Sequence, residues 1–104
     1  MTTWFVSRHP GAIAWIKAQE FTIDRFIDHI DLTLLKAGDR VIGTLPVNVV
    51  AQLCESGIEY WHLNLELPFS ARGKELNRKE LEQYGAHLQR YDVKALDTNL
   101  KVVR

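Results

Sequence analysis

A four-residue apolar run, Thr3-Trp4-Phe5-Val6, passes without a linker into Ser7-Arg8-His9-Pro10-Gly11 and from there into a helix-spaced segment. Proline suits the first helical position, because its missing N–H would be unpaired there anyway. The spacing predicts a strand followed by a helix from about Pro10 to Gln19, with Ile13 and Ile16 on one face. A short strand feeding straight into a helix must double back over its own sheet. The next strand then lies parallel to the first.

No repeat or long linker is visible along the rest of the chain. Arg25-Phe26-Ile27-Asp28-His29-Ile30 reads as a second strand, Ala37-Gly38-Asp39 as a turn, and Arg40 to Leu45 as a third strand. Pro46 opens a second helix, with Val47, Val50, Leu53 and Cys54 at helical spacing and Gly57 placed as a C-terminal cap. Trp61, Leu63, Leu65 and Leu67 alternate with Tyr60, His62, Asn64 and Glu66, which predicts a strand with one buried face, ended by Pro68. Asn77 and Glu80 form a capping box for a last helix, and Leu76 and Leu81 a hydrophobic staple. Leu81, Tyr84, Leu88 and Tyr91 then read as one helical apolar stripe. Val93 to Leu96 and Leu100 to Val103 are expected as short strands. This order predicts one α/β domain over residues 1–104, with a mainly parallel sheet flanked by helices.

Composition narrows the partners. Thirteen basic and thirteen acidic residues give no net charge, which argues against coating long nucleic acid. A small anion needs only a local cluster of donors. A chain of 104 residues builds a core of limited depth, so a site shared between two copies is a natural solution. Cys54 is the single cysteine, no apolar stretch approaches a membrane span, and no signal-peptide pattern opens the chain. A cytoplasmic protein is the expectation.

Ligands of open parallel sheets sit beyond the carboxyl ends of the strands. That rule selects the loops Ser7 to Gly11, Thr44 to Asn48, and Pro68 to Gly73. In the first, a helix N-terminus offers free N–H groups and a positive dipole end. Ser7 adds a hydroxyl, Arg8 a fork suited to phosphate, and His9 a group that titrates near neutrality. The alternative is an ordinary turn with its polar residues in water. Thr44 and Asn48 offer contacts to a ribose or a base edge, or simply start a helix. Arg72 and Gly73 offer a reaching cation and a close backbone approach, or a solvated loop. His62 is either a second acid or base or a packed residue. His29 lies near Asp28 and Asp31, but no cluster has zinc spacing, so no metal is expected. Cys54, Trp4, Trp15 and Trp61 read as core.

Three ordered segments carry a resemblance. They are Trp4 to Ala12 with Trp15; Gly38 to Pro46; and Gly57, Tyr60, His62-Leu63, Leu67-Pro68, Arg72-Gly73-Lys74-Glu75-Leu76 and Gly85-Ala86. In these the chain resembles the CRISPR-associated Csx-sixteen family, small ancillary proteins of type III CRISPR systems. The resemblance implies a Rossmann-like (CARF-like) sheet, a homodimer, and ring-nuclease activity on cyclic tetra-adenylate without a cofactor. Within that implication Ser7, Arg8 and His9 would serve catalysis. Gly11, Thr44, Asn48, Arg72 and Gly73 would hold the ligand. A messenger-binding sponge without catalysis, or a subunit docking on a CRISPR effector, are the alternatives.

Overall fold

The computed structural model describes residues 1–103. Its strands are β1 (Thr3–Val6), β2 (Arg25–Ile27), β3 (Arg40–Gly43), β4 (Glu59–Asn64) and β5 (His87–Tyr91). Its helices are α1 (Pro10–Lys17), α2 (Val47–Glu55) and α3 (Arg78–Gln83), with short 3-10 turns at Leu32–Leu34 and Phe69–Ala71. The strands form one sheet in the order β2-β1-β3-β4-β5. All neighbours are parallel except β4 and β5. This is a mixed α/β, Rossmann-like architecture. Among the described residues, no helix is long and apolar enough to cross a membrane.

The strand order has a physical consequence. From β1 the chain crosses to β2 on one side; from β3 it crosses to β4 on the other. Right-handed crossovers in opposite directions place their helices on opposite faces. The core divides accordingly. Trp4, Val6, Val41 and Tyr60 pack under α2 through Val50 and Leu53. Phe5, Ile42 and Leu63 pack under α1 and α3 through Ala12, Trp15, Ile16 and Leu81. Successive strand residues thus alternate between two covered faces, so β1 and β3 carry apolar residues almost continuously.

That division corrects the expectation for β4. Tyr60, assigned to the polar face, is 1% exposed and among the most deeply buried side chains, whereas Trp61 is only half-buried. The phenol is tolerated there because its hydroxyl is fully used. It donates to the Gly43 carbonyl (3.0 Å), accepts from the Leu45 N–H (3.0 Å), and meets His62 Nδ1 at 2.7 Å. The strand also ends at Asn64, before Pro68.

The helical stripe from Leu81 to Tyr91 does not form. α3 stops at Gln83, and Gly85 turns left-handed at φ 71°. The Ala86 N–H bonds the Leu81 carbonyl (2.9 Å) and the Gly85 N–H the Glu82 carbonyl (3.2 Å). This Schellman closure ends the helix, and residues 87–91 pair antiparallel with β4 instead. The same closure at Gly57 (φ 77°) ends α2 as expected. The capping box is present: Asn77 Oδ1 accepts from the Glu80 N–H (2.9 Å), and Glu80 Oε1 from the Asn77 N–H (3.1 Å).

Other boundaries shift. α1 ends at Lys17 rather than Gln19, and β2 at Ile27 rather than Ile30. Asp31 instead caps the first 3-10 turn through the Thr33 N–H. No strand forms at 93–96 or 100–103. Val93 turns onto the α2 face, where its N–H meets the Cys54 thiol (3.5 Å), and Leu96, Leu100, Val102 and Val103 are exposed.

Two contacts tie segments distant in sequence at opposite ends of the strands. At the amino end the buried Asp39 carboxylate accepts from the Thr2 N–H (3.0 Å), the Lys36 N–H (3.0 Å) and the Trp4 indole (3.3 Å). Desolvation raises the pKa of this carboxyl. Those three hydrogen bonds, with the nearby amino terminus, outweigh it and hold the group below its ordinary 3.8. At the carboxyl end, the start of α1 meets the loop before α3 at Gly11. A Cβ there would lie 1.8 Å from the Leu76 carbonyl oxygen.

Gly11→Ala therefore has to push two backbones apart, and should lower unfolding stability in urea by at least about 2 kcal/mol. Because Asp39 ionises more easily in the folded state, its contribution is present above its unfolded pKa. It is lost as pH falls through the lower folded value. Asp39→Asn should be less stable than the parent by about 2 kcal/mol at neutral pH. The gap should narrow in acid, as read by denaturation at a series of pH values.

Candidate functional site

The opposite crossovers open a crevice at the carboxyl ends of β1 and β3, where open α/β sheets place ligands. The turn after β1 is tightly organised. The Ser7 N–H bonds the Ile27 carbonyl (3.0 Å), and Ser7 Oγ accepts from the His9 N–H (3.1 Å). With Oγ serving as the local acceptor, the Ser7 hydroxyl proton is left to donate outward. His9 is the N-cap of α1, but its side chain makes no capping bond. The helical ladder begins with the Ile13 N–H on the His9 carbonyl (3.1 Å). The first-turn N–H groups of Gly11 and Ala12 therefore have no acceptor within the helix.

The His9 ring turns instead to Glu75. Its Nδ1 lies 3.1 Å and 3.2 Å from the two carboxylate oxygens. Both side chains are 60% exposed. Glu75 stands in the loop before α3, which the Gly11–Leu76 contact presses against the start of α1.

A cleft of about 220 Å³ lies here. Phe5, Leu63, Leu65, Leu76 and Leu81 give it apolar walls, while Ser7, His9, Thr44, Lys74 and Glu75 supply polar groups. Gly43 allows β3 to approach β1 closely, since a Cβ there would sit 3.0 Å from the Val6 carbonyl oxygen. Thr44 is thereby brought to the crevice.

Of the residues predicted from sequence, Ser7, His9 and Thr44 converge on this cleft. Arg8 is exposed on the same turn, between two lining residues, but does not line the cleft itself. Arg72 and Gly73 sit just before Lys74, exposed, with Gly73 at φ 80°. Asn48 lies exposed in the first turn of α2, outside the cleft. Gly11 is buried, and the space its hydrogen leaves is filled by the Leu76 backbone. Its visible task is helix packing.

His62 points to the α2 face, with Tyr60 and Tyr91, and lines a separate hollow. Burial pushes its pKa down, favouring the neutral ring. Glu75 and Lys74 were not singled out from the sequence. They stood only within the family-like segment Arg72-Gly73-Lys74-Glu75-Leu76, with no role attached. Among the described residues, no group of three or more His, Cys, Asp or Glu side chains could hold a metal ion together.

Comparison with known proteins gives one result. A family model described as "Putative CRISPR-associated protein (Cas_VVA1548)" matches residues 4–94. No curated protein and no solved structure matched the chain. The matched span runs from β1 through β5 and includes every residue that lines the cleft. The chain therefore belongs to this CRISPR-associated protein family.

Proposed function

We propose that the chain is a ring nuclease of the Csx-sixteen type, which degrades the cyclic tetra-adenylate messenger of type III CRISPR defence. The observation that carries this reading is the meeting of Ser7, His9, Thr44 and the opening of α1 on one cleft at the sheet's switch point. Hydroxyl donors and helix N–H groups suit a phosphodiester. An adjacent histidine suits proton transfer. A cytoplasmic location, expected from the sequence, goes with this reading.

A cyclic oligoadenylate carries its own nucleophile. The ribose 2′-hydroxyl attacks the adjacent phosphorus, the bond to the 5′-oxygen breaks, and a linear product with a 2′,3′-cyclic phosphate results. The protein's work is to hold nucleophile and leaving oxygen in line. It also stabilises charge on the phosphoryl oxygens, through Ser7, the start of α1 and Arg8 reaching over from its exposed position. His9 takes or gives the proton. Thr44 and, from outside the cleft, Arg72 and Asn48 serve the ribose and base.

Size supports a two-copy site. Ligand pockets commonly span about 300–1,000 Å³, and this cleft holds about 220 Å³. On this reading, a four-nucleotide ring draws on walls beyond this cleft. A two-fold homodimer would present two such clefts to opposite phosphates.

Incubating the protein with cyclic tetra-adenylate and excess chelator should yield linear products with 2′,3′-cyclic phosphate ends, read by chromatography. Ligand bound but recovered intact would replace catalysis with sequestration. No binding at all would remove the nucleotide reading and favour an effector-docking role. His9→Ala should retain binding and lose on the order of 10²–10⁴-fold in cleavage rate.

A further inference from the structure

Acid–base work by His9 depends on which ring nitrogen carries the proton. We propose that Glu75 is a positioning residue that locks His9 with Nδ1–H toward its carboxylate, making Nε2 the atom that takes the ribose 2′-proton. The inference deepens the nuclease reading and rests on it.

The pairing geometry decides the tautomer. Nδ1 lies within hydrogen-bond distance of both Glu75 oxygens. An ionised carboxylate can only accept, so Nδ1 must donate. In a neutral imidazole the other nitrogen is then the acceptor. The main chain on both sides is held in place. His9 is fixed by its N–H on Ser7 Oγ and its carbonyl on the Ile13 N–H. Glu75 is fixed by the Leu76 backbone packed against Gly11 and by the capping box at Asn77.

A bland surface ion pair is the competing account. Exposed pairs contribute only about 0–1 kcal/mol, and both of these side chains are 60% exposed. Stability is therefore a poor reason for the contact, whereas orientation is a sufficient one. Its place on a cleft with Ser7, Thr44 and Lys74 agrees with that.

The step balances. The 2′-oxygen forms its bond to phosphorus while its proton moves to Nε2. The 5′-oxygen departs and takes a proton from water. The resulting imidazolium faces the Glu75 carboxylate until it returns its proton to solvent. A bound nucleotide or second copy covering the cleft would strengthen the pairing by excluding water.

The test joins nitrogen NMR of the His9 ring with single-turnover cleavage, on the full chain and on Glu75→Ala and Glu75→Gln. Wild type should show the neutral ring protonated at Nδ1. Glu75→Ala should shift it toward the Nε2–H form favoured in water. The same variant should slow cleavage on the order of 10- to 100-fold, while still binding ligand. Glu75→Gln, whose side-chain carbonyl can still accept, should keep the tautomer and lose only part of the rate. A wild-type ring protonated at Nε2, an unchanged tautomer in Glu75→Ala, or wild-type cleavage by that variant would each overturn the proposal. Wild-type protein that never cleaves would instead sink the nuclease reading, and the two ring spectra would still decide whether Glu75 sets the tautomer.

Discussion

The close backbone approach of Gly11, at the start of α1, to the Leu76 carbonyl governs how the rest of the site is assembled. It brings the start of α1 onto the loop that leads into α3. His9 lies two residues before that contact on one chain segment, and Glu75 one residue before it on the other. Their meeting is a consequence of main-chain packing, to which long flexible side chains add little. The same contact seats Ala12 and Leu81 over Phe5 and Leu63, which supply apolar walls to the cleft. Gly11, a residue of the opening turn, thus also sets the distance between His9 and Glu75.

The fold was largely legible because its signals are local. Pro10, Pro46, Asn77 with Glu80, and Gly57 each mark a helix end for a stated steric or hydrogen-bonding reason, and each marks one in the structure. Strand–helix alternation then implies parallel pairing. What failed was spacing without punctuation. Leu81, Tyr84, Leu88 and Tyr91 fit a helical period, but Gly85 interrupts it, and a left-handed glycine outranks four apolar matches. The buried face of β4 was misjudged because period-2 alternation assumes one covered face, and α2 covers the other. The tail after Tyr91 carries apolar residues at strand-like density yet has no strand beside it to pair with.

The site was legible only in part, for a different reason. Ser7, His9 and Thr44 follow from the rule that ligands gather beyond the carboxyl ends of parallel strands, which needs only the element order. Glu75 required knowing that the loop before α3 folds back onto α1. Nothing in residue spacing encodes a contact across 66 positions. Arg8, Asn48 and Arg72 have the right chemistry in the right loops but stand outside the cleft. A ligand larger than the cleft, or a second subunit, would be needed to engage them.

The Tyr60 hydroxyl has one proton and three polar neighbours. If that proton is spent on the Gly43 carbonyl, the oxygen receives from Leu45 and from His62, and all valences are filled. The strand end bearing Thr44 is then riveted to the fourth strand from beneath. Thr44 therefore enters the crevice from a strand end held both by its own ladder and by a side chain of its neighbour.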